Sequence, residues 1–116
     1  MHIDAPLAIE HKPGKTPGTV IIHLTGPVTL RNLFDLLPLL RSGALPSVSI
    51  LNLEAVPYMD SAGMGAIVNH YVHCQHRSAR LIVAGVNSRV MELFRMTRVD
   101  RVIPLAASVE EAEAGL

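Results

Sequence analysis

The segment Asp60-Ser61-Ala62-Gly63 sets a hydroxyl beside a carboxylate and follows it with small residues, so Ser61 is open to attack, modification or recognition. Nucleophilic catalysis is the demanding option. It needs a base that orients the hydroxyl and donors for an oxyanion, commonly built around a Gly-x-Ser-x-Gly elbow. That elbow is missing here, and His23 has no spacing to Ser61 that would make it the base. The reading is therefore of a recognition or modification site and not of an enzyme.

Two further constellations carry little chemistry. Gly63-x-Gly65 has no third glycine at the dinucleotide spacing and no Lys-Ser/Thr of a phosphate loop, so no nucleotide cofactor is expected. His70 and Cys74 stand at i and i+4, a spacing that lets two side chains share a metal on one helix face. His73 points elsewhere and no second ligand pair is evident, so solvated helix histidines are preferred and no metal is assigned.

Composition narrows the partners. Ten basic and ten acidic residues give zero formal charge, which removes the field that nucleic-acid binding or a polybasic membrane contact requires. Six of the ten basic residues, Arg77, Arg80, Arg89, Arg95, Arg98 and Arg101, crowd one quarter of the chain. A solvated face balanced by Glu92 and Asp100 accounts for them. The single Cys74 excludes an internal disulfide, and no basic-then-apolar segment opens the chain. No apolar run approaches the roughly 20 residues that span a bilayer. The expected setting is the cytosol, without membrane insertion.

The elements that must position Ser61 follow from patterning. The 116 residues fit one domain, 1–116, with an aliphatic core, since Trp is absent and Tyr and Phe number two each. Pro6 to His11 reads as an edge strand, and the turn-rich stretch Lys12 to Gly18 joins it to a second strand, Thr19 to Thr25, as an antiparallel hairpin. Thr29 can then cap a helix whose stripe is Leu30, Leu33, Phe34, Leu37 and Leu40, with Pro38 kinking or shortening it.

Ser47 to Leu53 is a central strand, and a helix follows from about Ser61 to Arg77. Its apolar face is Met64, Ile67, Val68 and Tyr71, with His70, His73 and His76 on the opposite side. Leu81 to Ala84 is a buried strand, and Asn87 or Ser88 caps a helix burying Val90, Leu93 and Phe94. Val102 to Leu105 forms a last short strand. Ser108 and Glu111 then make a capping box for a terminal helix. The order ββαβαβαβα predicts an α/β fold with a mainly parallel five-strand sheet and about four helices.

In such a sheet, sites collect where a strand ends and the next helix exposes its free N–H groups. Asp60 to Gly63 lies there. Asp60 or Ser61 can serve as N-cap, and Gly63 and Gly65 leave the first helical turn nearly bare, which suits close backbone approach or tight packing on the sheet.

The run Leu51-Asn52-Leu53-Glu54-Ala55-Val56-Pro57-Tyr58-Met59-Asp60-Ser61-Ala62-Gly63-Met64-Gly65 resembles the central signature of STAS domains, the fold of bacterial anti-sigma factor antagonists. The likeness extends upstream through Leu24-Thr25-Gly26. Downstream it continues through Gly85-Val86-Asn87-Ser88-Arg89-Val90, Leu93-Phe94-Arg95-Met96-Thr97 and Ser108-Val109-Glu110-Glu111-Ala112. The resemblance implies partner switching. In the family, the serine directly after the Asp is phosphorylated by an anti-sigma factor that is also a serine kinase, and a serine phosphatase reverses this. The unmodified domain binds the anti-sigma factor and frees the sigma factor.

Carried onto this chain, Ser61 is the switch, and Asp60, Ser61, Ala62, Gly63, Met64 and Gly65 form the contact surface. Thr29 joins them because it stands where phosphorylated members carry an Asp after the second strand. Arg98 stands where a Gly is common, a change expected to alter only the helix end. STAS domains also serve as stressosome-like scaffolds, as regulators of anion transporters and as the small subunit of lipid-transport ABC systems. A non-switching scaffold or accessory subunit is therefore the alternative. Homo-oligomerisation stays open.

Overall fold

The computed structural model describes residues 6–40 and 43–116. The Pro/Gly-rich stretch turns the chain back between β1 (Ala8–Pro13) and β2 (Thr19–Thr25), antiparallel neighbours with Ala8 opposite Thr25 and Pro13 opposite Val20. β1 lies two residues beyond the expected Pro6–His11. Pro13 is tolerated because β1 forms the edge of the sheet. Inside the turn the Lys15 N–H donates to Glu113 Oε2 at 2.6 Å, tying the hairpin to the far end of the chain.

Three further strands, β3 (Val48–Ala55), β4 (Arg80–Ala84) and β5 (Leu105–Ala106), add in parallel to give the order β1-β2-β3-β4-β5. The mainly parallel α/β fold read from the sequence is thus the observed one. β5 departs from the expected Val102–Leu105. Arg98 turns left-handed (φ 60°), Val99–Arg101 wind as a 3-10 turn, and Ile103 plugs the core while Val102 faces solvent. Pairing begins only at Pro104, whose carbonyl accepts the Val83 N–H at 2.9 Å.

Four helices cover the two faces. Successive strand residues point to opposite sides, so Ile22, Leu24, Leu51, Leu53 and Val83 share one core with α1 (Leu33–Leu40), α2 (Ser61–His76) and α3 (Ser88–Met96). Ile21, Ile50, Ile82 and Ala84 point the other way, against Ala112 of α4 (Val109–Ala114). The Ser108 hydroxyl accepts the Glu111 N–H at 3.1 Å, the cap expected for this last helix.

Two helical stripes differ from their sequence reading. Ahead of α1, Leu30–Asn32 form a 3-10 turn, which shifts the phase of everything after it. Leu36 and Leu40 are consequently the buried residues of α1, whereas Leu30 is 61% and Phe34 82% exposed. Six of the eight α1 residues are Leu or Phe, so periodicity could not choose the face. Pro38 lies inside the helix.

In α2 the buried line is Gly63, Met64, Ala66, Ile67, His70 and Cys74. Val68 and Tyr71 are only half-buried, and of the three histidines only His76 is exposed. From Ile67 the i+3 and i+4 positions are His70 and Tyr71. The i+3 member is the one turned into the core.

Candidate functional site

Ser61 begins α2 at the carboxyl end of β3, and the turn that delivers it is fastened to the segment after β2. Val28 and Met59 form an isolated parallel bridge. The Val28 N–H donates to the Tyr58 carbonyl at 3.2 Å, and the Asp60 N–H donates to the Val28 carbonyl at 3.2 Å. Val28 itself is fully buried.

This close approach explains Gly63. A methyl there would overlap the Val28 carbonyl oxygen and lie 2.9 Å from its carbon. Gly65 is different, for a methyl there would meet no heavy atom of the described residues within 4 Å. One glycine serves packing and the other leaves an open, exposed surface.

Asp60 is the N-cap of α2, with extended backbone (φ −103°, ψ −178°). Its Oδ1 accepts the Gly63 N–H at 2.8 Å, and its Oδ2 accepts the Leu30 N–H at 3.0 Å. One carboxylate therefore caps two helical starts. Thr29, read from the sequence as the cap for the Leu30 segment, makes no side-chain cap. It is buried, and its hydroxyl has no hydrogen-bond partner among the described residues. Asn32, also buried, anchors this segment through its amide to the Pro27 carbonyl at 2.7 Å.

Of the seven expected contact residues, Asp60, Ser61 and Gly65 are exposed and Ala62 is half-buried. Gly63, Met64 and Thr29 are buried. They shape the surface from beneath. The surface also contains what the sequence reading placed in the core, since the Asp60–Leu30 hydrogen bond sets exposed Leu30 beside the start of α2, with exposed Phe34 one helical turn further on. The signal for this was weak. Only the Gly26-Pro27 stop and the unusual leucine density hinted that the stripe could be offset.

A second support comes from α3. Asn87 caps it, accepting the Val90 N–H at 2.8 Å, while its amide nitrogen donates to the carbonyls of Val56 at 3.0 Å and Pro57 at 3.2 Å. The loop leading to Asp60 is thereby pinned from its other side. Arg89 lies over the Tyr58 ring, 5.1 Å from the centroid, a cation–π distance. Asn87 is one of the two caps the sequence offers, with Ser88, and nothing in the sequence marks its grip on Val56.

The remaining candidates assemble less. His70 Nε2 and Cys74 Sγ lie 3.8 Å apart and buried, and no group of three His, Cys, Asp or Glu residues gathers at metal-binding range among the described residues. Burial pushes the Cys74 thiol above its ordinary pKa. The six clustered arginines are all exposed. Among the described residues the ion pair is Lys12–Glu10 at 3.6 Å, so Glu92 and Asp100 do not pair with them. No helix among the described residues is long and apolar enough to cross a membrane.

Comparison with known proteins places this geometry. The anti-sigma-B factor antagonist of Listeria monocytogenes is 31% identical over 55 residues, 47% of this chain and 48% of that protein. The chain thus spans about half the length of the curated relatives it matches. In fold, an anti-sigma factor antagonist from Mycobacterium paratuberculosis superposes with a TM-score of 0.85 at 15% identity, covering 97% of each chain. A sulfate transporter family protein from Wolinella succinogenes gives 0.77 at 23% identity, covering 85% of this chain and 84% of that one. The STAS domain family profile matches residues 12–112. With the hairpin, the parallel sheet and the Asp60-capped helix start in place, this chain belongs to the STAS domain family.

Proposed function

We propose that this domain is an anti-sigma factor antagonist of the cytosol, binding an anti-sigma factor kinase through the Ser61 surface and losing it when Ser61 is phosphorylated. The observation that carries the reading is the joining of an exposed serine at a helix start to exposed Leu30 and Phe34 by the Asp60 carboxylate. Apolar side chains rimmed by polar ones are the composition of a protein contact.

The charge argument supplies the switch. A phosphate adds about −1.5 to −2 charges at pH 7 next to Asp60. Within the free domain the helix start offsets this by roughly 0.3–1 kcal/mol, so the fold tolerates the modification. Against a partner surface fitted to a neutral hydroxyl, the same charge must be desolvated, and an unpaired or like-charge contact costs several kcal/mol. A serine phosphatase restores binding.

Incubation with the candidate kinase and Mg-ATP, followed by peptide mass spectrometry, tests the reading. One phosphate on Ser61, absent in Ser61→Ala and accompanied by dissociation of the complex, is the expected result. The likeness to a sulfate transporter family protein favours the accessory-subunit alternative. Stable co-purification with a transporter and no phosphate on Ser61 would select it.

A further inference from the structure

At the opposite end of α2, roughly 24 Å along the helix axis from Ser61, the same face of the sheet lines a cavity of about 610 Å³ that opens to solvent. Its floor is strand: Val20 and Ile22 of β2, His11 of β1 and Ser49 of β3. Its walls are Leu40 at the end of α1, Leu45 and Pro46 in the connection to β3, and His73 and Arg77 at the end of α2. The volume falls within the ~300–1,000 Å³ usual for small-molecule sites.

The lining has two halves of different chemistry. Aliphatic side chains make one. The other holds the Arg77 guanidinium and two imidazoles, and among the described residues no carboxylate lines the cavity. Arg77 is exposed and has no ion-pair partner among the described residues, although the chain as a whole carries as many acids as bases. In addition Ser49, completely buried in the floor, has a hydroxyl without a hydrogen-bond partner among the described residues.

We propose that this cavity binds a small amphiphilic carboxylate, its aliphatic tail against Val20, Ile22 and Leu45 and its anionic head at Arg77. A planar guanidinium pairs a carboxylate through two parallel hydrogen bonds, which a neutral head group cannot match. The site is independent of Ser61. Its ligand touches the end of α2 and not the start.

Amide-resolved NMR titration of the whole chain with octanoate, 1-octanol and acetate tests the proposal. Octanoate is expected to saturate with a Kd on the order of 1 mM or below, shifting Val20, Ile22, Ser49 and His73 and sparing Ser61. Octanol, which has the tail alone, and acetate, which has the head alone, should each bind at least tenfold more weakly. Arg77→Gln, a surface change, should weaken octanoate at least fivefold, and Arg77→Lys should recover part of the loss. Failure of octanoate to saturate, equal binding of octanol or acetate, or unchanged binding in Arg77→Gln would each overturn the proposal without touching the Ser61 reading.

Discussion

Asp60 holds Leu30 from thirty residues downstream: its Oδ2 accepts the Leu30 N–H at 3.0 Å while its Oδ1 caps α2 at Gly63, 2.8 Å away. The residue beside Ser61 is thus the clasp between the segment after β2 and the start of α2. Asp60→Ala should lower unfolding stability by about 1–2 kcal/mol, as the loss of a strong cap does. Asp60→Asn, which keeps one acceptor, should lose less. Urea denaturation measures the stability, and amide exchange of Leu30 reports the clasp. Unchanged Leu30 exchange in Asp60→Ala would contradict the double cap.

The two glycines of the first turn should respond oppositely to the same substitution. Gly63→Ala forces a methyl against the Val28 carbonyl and should destabilise by about 1–3 kcal/mol. Gly65→Ala meets nothing and replaces a poor helix former, so it should stabilise by up to about 1 kcal/mol. Thermal or urea unfolding of the pair separates packing from openness.

Arg98 sits in the left-handed region at φ 60°, where a Cβ is unfavourable by roughly 1–2 kcal/mol. Glycine removes that strain but loses more backbone freedom on folding. Arg98→Gly should therefore be net stabilising by about 0.5–1 kcal/mol, visible as a higher denaturant midpoint. A destabilised variant would show that the arginine side chain contributes more than its backbone strain costs.

Cys74 is fully buried and its thiol is pushed up by burial. Its folded pKa lies above the unfolded one, so its stabilising contribution is complete below the unfolded thiol pKa. That contribution is lost as pH rises through the folded value. Labelling by a thiol reagent at neutral pH should be slow in the native protein and fast in denaturant. Equal rates would mean that α2 opens locally at Cys74.

Much of this architecture was legible in the sequence because its signals were local. Turn chemistry marked the hairpin, Asn87 and Ser108 marked helix starts, and alternation marked β3. What escaped was phase. The 3-10 turn at Leu30–Asn32 rotates α1 so that Phe34 faces solvent, and a helix this rich in leucine has no polar stripe to betray the offset. His70 escaped for a related reason, since its neighbour Tyr71 suits the same core position by hydrophobicity. At the site, the Asp-Ser-Ala-Gly order offered Asp60 or Ser61 as the cap, and Asp60 takes it. Its second bond, to Leu30, joins residues far apart in sequence and leaves no local trace. Thr29 has the right type for a cap, yet its hydroxyl is buried without a partner among the described residues.

The proposed switch requires a neutral Ser61 as the binding form, and titration calorimetry of the proposed anti-sigma factor kinase against wild type, Ser61→Ala and Ser61→Asp tests it most directly. Ser61→Ala should bind as wild type does. Ser61→Asp should bind about a hundredfold more weakly, near 3 kcal/mol, while unfolding at the same denaturant concentration as wild type. Wild-type affinity in Ser61→Asp would contradict the switch.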